Sequence, residues 1–137
     1  MPAEDHFAAS FRHAEDSTRL LAAGRPDNAA YLAGYVFESG LKLLIEQSAH
    51  HPGQALRIHD LRSLETLALV ATLTEVDAEH GFPQAAISTA RSSGWDVAWR
   101  YAADGEVSLS AVHSLVAAAA AMRHALAVAV LEGRVRP

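Results

Sequence analysis

The chain has 137 residues, half of them hydrophobic, and a formal net charge of −5. That length fits one domain, residues 1–137, able to bury roughly two-thirds of its unfolded surface without staples. The absence of cysteine excludes disulfides and thiolate chemistry and points to a reducing cytoplasm, and the negative balance excludes broad electrostatic capture of nucleic acid, though not a local basic patch.

In chain order, the acidic opening PAEDHFAASF has no apolar run of the kind found in secretion signals. A first helix is predicted over Glu4 to Ala23, with Phe7, Phe11, Ala14, Thr18 and Leu21 on one stripe and Gly24 as its stop. Arg12–Asp16 and Glu15–Arg19 are spaced for surface ion pairs. Pro26 suits the first position of a second helix, and the short connection makes the two an antiparallel hairpin. The second helix runs to about Ala49, where HHPG breaks it. A third starts near His59 with Asp60 as cap, and Leu61, Leu64, Leu67 and Val70 mark its buried side. From Thr74 to Asp104 the signals are mixed, punctuated by GFP and SSG, with short helices expected over Gln84–Ala90 and Trp95–Tyr101. After a DG turn, Ser108 caps a long final helix to Glu132, stapled by Val107 and Val112. No segment alternates long enough for a sheet. The class is all-α, an antiparallel bundle of four to five helices.

The second helix holds the most telling pattern. At 100° per residue, Tyr31, Tyr35, Glu38 and Lys42 fall within about 60° of one another. Leu32, Ala33, Val36, Phe37, Leu43 and Leu44 cover a broad apolar arc, and Leu41 and Ile45 flank the seam on its other side. Gly34 and Gly40, each costing about 1 kcal/mol inside a helix, imply close approach by a neighbouring backbone. A central helix packed on several sides is expected. The seam then has two readings. Glu38 and Lys42 form a structural i,i+4 pair with the tyrosine hydroxyls satisfied nearby, or the seam lines a cleft in which Lys42 meets a nucleotide or RNA phosphate.

The final helix raises a similar choice. Arg123 lies on its apolar stripe with Val112, Val116, Ala119, Leu126 and Val130, and so needs a partner, with Glu38 one candidate. Its run Leu115 to Ala121 is interrupted by Arg123-His124, which argues against a membrane span. The alanines at 117–121, 125, 127 and 129 permit close helix contact and suggest self-association. The eight histidines are not at metal-ligand spacing, since His113 and His124 share a face but sit roughly 16 Å apart. No cofactor or metal is expected.

The order Ala-x-Tyr-Leu-Ala-Gly-Tyr-x-x-Glu-x-x-Leu-Lys over Ala29–Lys42 strongly resembles the second helix of HEPN domains, the higher eukaryotes and prokaryotes nucleotide-binding domains. RHAEDSTRLLAAG before it, HDL at 59–61 and WRY at 99–101 agree in order, so the resemblance spans Phe11 to Leu131. It implies a homodimeric helical bundle that interacts with nucleotides or RNA, partnered with a minimal nucleotidyltransferase in toxin–antitoxin or defence systems. By the same resemblance Glu38, Lys42, His59, Arg100 and Tyr101 are the first positions to inspect. Many HEPN domains are metal-independent endoribonucleases with an Arg followed, after four to six intervening residues, by a His. No Arg–His pair here has that spacing. His6–Arg12 and His13–Arg19 show it in reverse, on what reads as a solvent-facing helix. A non-catalytic accessory protein is therefore the leading expectation. The alternatives are an endoribonuclease using His59 or His113 with Arg100 or Arg123, and a pure interaction module.

Overall fold

The computed structural model describes residues 4–46, 58–73 and 83–137, side chains 67 and 69–73 excepted. Five α-helices make up the chain's regular structure there: α1 His6–Ala22, α2 Pro26–Glu46, α3 Leu61–Leu73, α4 Gln84–Ser92 and α5 Leu109–Leu131, with a 3₁₀ segment over Val97–Tyr101. No strand occurs among the described residues. The break expected at HHPG, the buried roles expected of Leu67 and Val70, and the first two residues of GFP lie outside the described residues.

Local chemistry sets the helix ends. Asp5 caps α1 by accepting from the Ala8 N–H at 2.8 Å, and Ser108 caps α5 through the Ala111 N–H. Asp60 caps α3, accepting from both the N–H and the hydroxyl of Ser63. These bonds, the hydroxyl's first, hold its carboxyl below its ordinary value against the opposing effect of burial. Gly24, at φ 75°, ends α1 with the Arg25 N–H donating to the Leu20 carbonyl at 2.8 Å, a wrapped turn that needs the left-handed conformation. Asp27, in the first turn of α2, accepts the N–H of Gly105 and so ties the DG turn to the hairpin.

The segment expected as a helix from Trp95 begins at Val97 and is a 3₁₀ turn capped by Asp96. Trp95 is thereby left outside it, free to turn inward.

α2 is the central rod, in contact with α1, α3, α4, α5 and the 3₁₀ segment. Phe37, Leu41 and Ile45 from it meet Leu64, Ile87, Leu115, Met122 and Leu126, all fully buried. The predicted stripe of α1 holds at Ala14, which is buried, and at Phe7, Phe11 and Leu21, which pack partly buried against the core, but not at Thr18. Thr18 is exposed, whereas Ser10, Ala14 and Ser17 are buried. Small residues let α1 approach Ala29, Ala30 and Ala33 closely, and the two hydroxyls are satisfied by carbonyls, Ser10 donating to Val36 and Ser17 to Ala14. Phe7 and Phe11 are half-buried at the edge, rings 4.5 Å apart. Glu15–Arg19 forms the expected pair, while Arg12–Asp16 forms none among the described residues.

The two helix glycines do mark close approach, but by side chains rather than backbone. A Cβ on Gly34 would lie 2.0 Å from the Trp95 indole, and one on Gly40 would lie 2.6 Å from the Met122 methyl. Trp95 is 7 % exposed and donates its indole N–H to the Tyr31 carbonyl at 3.0 Å.

α5 is long and apolar enough, by length and composition, to cross a membrane. Its inner side belongs to the bundle core through Val112, Leu115, Met122 and Leu126.

Candidate functional site

The polar seam of α2 is intact and continuous, because α2 is one unbroken helix and residues four apart stack on one face. Lys42 Nζ donates to Glu38 Oε1 at 2.9 Å, and both residues are about 95 % buried, 5 % and 4 % exposed. One turn up, the hydroxyls of Tyr31 and Tyr35 are 2.9 Å apart and their rings meet edge to face. Tyr35 also lies edge-on to Trp95 at 5.1 Å. Burial, and next the bond to Tyr31, push the Tyr35 hydroxyl far above the ordinary tyrosine range, so it stays a neutral phenol.

Two histidines from other elements converge on this seam. His59, just before α3, brings Nδ1 to 2.8 Å from Glu38 Oε1 while its side chain remains 54 % exposed. A bond to Nδ1 fixes the ring's orientation and leaves Nε2 facing outward. His13 comes from α1, its ring 5.6 Å from Tyr35. It was expected on a solvent-facing helix; instead it is half-buried, with Nδ1 enclosed and without a hydrogen-bond partner among the described residues. His6 is likewise turned inward, its buried Nε2 3.0 Å from Glu46 Oε1 at the end of α2 but without a hydrogen bond among the described residues. Glu38 Oε2 is buried and also has no hydrogen-bond partner among the described residues.

Burial foremost, then the charge of Arg12, holds the His13 imidazole below its ordinary value of 6.5, against opposing pulls from Asp16 and Glu38. The folded state thus binds this proton less readily than the unfolded chain. Its contribution is fully present above about pH 6.5 and is lost as pH falls through the lowered folded value. Thermal melts from pH 8 to pH 5 should show wild type losing more stability below pH 6.5 than His13→Asn. Parallel profiles would refute that assignment.

The remaining expected positions divide. Arg100 sits over the Tyr101 ring at 5.3 Å and near enough for its charge to act on the Tyr35 hydroxyl. Tyr101 itself is 82 % exposed and joins no seam contact. Arg123 is exposed rather than on the buried stripe, and it lies over the Phe11 ring at 5.1 Å, not on Glu38. The rotation that turns Met122 and Leu126 inward leaves position 123 at the border with α1, where a guanidinium keeps water on one side and an aromatic face on the other. Tyr31, Tyr35, Glu38, Lys42 and His59 are therefore brought together, Arg100 is adjacent, and Tyr101 and Arg123 stand apart.

Beside His59 the surface opens into a cleft of about 440 Å³, lined by Asp60, Leu61, Arg62, Ala90, Arg91, Gly94, Trp95 and Asp96. Arg62 and Arg91 share this lining with Asp60 and Asp96, so its formal charges balance, and Arg91 is bonded to Glu65 at 2.9 Å. Trp95 forms both the wall of this cleft and the packing partner of Tyr35. Chemically, the ensemble is an outward imidazole, held by a buried carboxylate, next to guanidinium groups. No group of three or more His, Asp or Glu arranged for a metal occurs among the described residues.

Sequence reasoning missed His13 and the arginines at 62 and 91. His13 carried a usable signal, since position 13 is one step from the small-residue face of α1. Comparison with known proteins adds no kinship: no family model, no curated protein and no solved structure matches the chain.

Proposed function

We propose that the chain is a HEPN-like bundle that works, as a cytoplasmic homodimer, as a nucleotide- or RNA-interacting accessory protein beside a minimal nucleotidyltransferase in a toxin–antitoxin or defence system. One observation carries this reading. Two of the four stretches behind the resemblance, Ala29–Lys42 and His59–Leu61, meet in space through the 2.8 Å bond between Glu38 and His59. In this reading Lys42 does not touch the ligand, because it is buried on Glu38; it holds the carboxylate that aims His59. The phosphate contacts fall instead to His59, Arg62, Arg91 and Arg100, which are exposed.

The same bond favours a second reading, a metal-independent endoribonuclease. An imidazole oriented through Nδ1 by a carboxylate is equipped to carry a proton at Nε2, with Arg100 steadying phosphorane charge.

Fluorescence anisotropy with a labelled single-stranded RNA and with a fluorescent adenine nucleotide distinguishes them. Saturable binding is expected, weakened about tenfold, or 1.4 kcal/mol, by Arg62→Ala or His59→Ala with an unchanged circular dichroism spectrum. Binding indifferent to both substitutions would reject the site. Metal-free cleavage of the RNA that stops in His59→Ala would select the enzyme. Neither binding nor cleavage would leave the pure interaction module.

A further inference from the structure

The cleft beside His59 is not built to grip a polyanion. Its lining sets two carboxylates, Asp60 and Asp96, against two guanidiniums, Arg62 and Arg91. Surfaces that hold nucleic acid by charge alone are one-signed, because affinity there comes from neutralised phosphates and released counterions. A charge-balanced cleft on a chain of net charge −5 suits a ligand that is anionic in one part and a hydrogen-bond donor in another. The two carboxylates are not equivalent. Asp60 is occupied by capping, since its Oδ2 accepts from both the N–H and the hydroxyl of Ser63. Asp96 accepts the Ala98 N–H through Oδ1 at 2.7 Å, while its Oδ2 takes no hydrogen bond and pairs with no cation among the described residues. That one bond sets the carboxylate's direction without exhausting it, because each oxygen carries two lone pairs. The wall beneath is fixed too, as the neighbouring Trp95 is buried and bonded to the Tyr31 carbonyl. The guanidiniums differ likewise. Arg91 is engaged with Glu65, whereas Arg62 is exposed and makes no ion pair among the described residues.

We infer that this cleft takes one nucleotide and selects guanine, with Asp96 accepting from the base and Arg62 holding the phosphate. An ionised carboxylate only accepts hydrogen bonds. Guanine is the one standard base with two adjacent donors on its pairing edge, N1–H and the 2-amino group, and these match the two oxygens of a carboxylate. Adenine and cytosine set a single amino donor beside a ring nitrogen whose lone pair a carboxylate repels. Uracil offers one N–H between two carbonyl oxygens, which carry the same sign of partial charge as the carboxylate. A volume of about 440 Å³ is in the range of small-ligand sites. Because Trp95 is buried, it gives the cleft shape rather than a stacking face, and discrimination falls to the carboxylate.

This rests on the proposed nucleotide or RNA ligand and names its base. The test is calorimetric titration of the full chain with the 5′-monophosphates of guanosine, inosine, adenosine, cytidine and uridine. Guanosine monophosphate should bind at least about tenfold tighter than the adenosine, cytidine and uridine compounds, the discrimination of one bidentate base contact. Inosine, which keeps N1–H but lacks the 2-amino group, should fall between. Arg62→Ala should weaken all five alike, since the phosphate is common to them. Asp96→Asn keeps the oxygen that accepts from Ala98 and adds an amide donor. It should lose guanosine monophosphate and gain xanthosine monophosphate, whose C2 carbonyl accepts where the 2-amino group donated. A residue that merely shapes the cleft would not exchange one base for another. Single-stranded RNAs differing only in one guanine replaced by adenine, titrated in parallel, tell a free nucleotide from a base within a strand, and a guanine preference lost in Asp96→Asn upholds the inference in either form. Equal binding of all bases, or a guanine preference unchanged in Asp96→Asn, overturns it and leaves ligand binding standing. No binding of any nucleotide, free or within RNA, overturns both.

Discussion

Gly34→Ala is expected to unseat Trp95 and to lower stability by about 3 kcal/mol or more, at the upper end of overpacking effects. The new methyl would stand 2.0 Å from the indole, inside any permitted contact, and the indole has no easy retreat. It is held on one side by its bond to the Tyr31 carbonyl and on another by the Tyr35 ring. Alanine's better helix propensity offsets about 1 kcal/mol, so the observed loss is net of that gain. For a domain of this length the melting temperature should fall by about 10 °C. Trp95 emission should shift to the red as the ring meets water. Gly40→Ala is the internal control. There the added methyl meets the far end of the flexible Met122 side chain, which can turn aside, and the cost should stay within about 1 kcal/mol. Equal effects at the two positions would mean that Trp95 is not seated on Gly34. Because Trp95 also walls the cleft beside His59, Gly34→Ala should weaken ligand binding too, through shape rather than charge.

Lys42→Met should be the costliest change on the seam, at about 3–5 kcal/mol, because it leaves a carboxylate in the interior without its cation. The side chains of both partners are 6 % exposed, so water cannot take the ammonium's place. Removing both charges is a different experiment. Glu38→Leu with Lys42→Met together should lie closer to wild type than Lys42→Met alone, since two desolvated charges have been exchanged for apolar surface. Urea unfolding of the two single variants and the double closes the cycle. A loss below about 1 kcal/mol for Lys42→Met would place the pair in the class of solvated surface bridges and remove the reason for a carboxylate inside α2. The double variant also separates stability from function. It keeps His59 but not the carboxylate that orients it, so ligand binding should drop while the fold survives.

Helix existence, caps and class were legible in the residues, because they arise within a turn or two of chain. Asp60 and Ser108 cap where short polar side chains precede apolar runs, Gly24 closes α1 because only glycine takes that backbone cheaply, and Glu38 stacks on Lys42 because four residues make one turn. The 3₁₀ geometry after Trp95 was not legible, since one short turn flanked by Gly94 and Asp96 is chosen by what the indole packs against.

What only the tertiary structure decided is how each helix is rotated about its axis and what faces it. A few tens of degrees put Ser10 and Ser17 inside and Thr18 outside, against their similar polarity, because α1 could come close to α2 only over small side chains. The same rotation carried His13 onto Tyr35, and that of α5 carried Arg123 onto Phe11 rather than Glu38. His59 and Glu38 lie 21 residues apart in the chain, and no periodicity connects positions on different elements. Spacing along one helix fixed the carboxylate and its lysine; packing between helices supplied the histidine that gives that carboxylate an outlet to the surface.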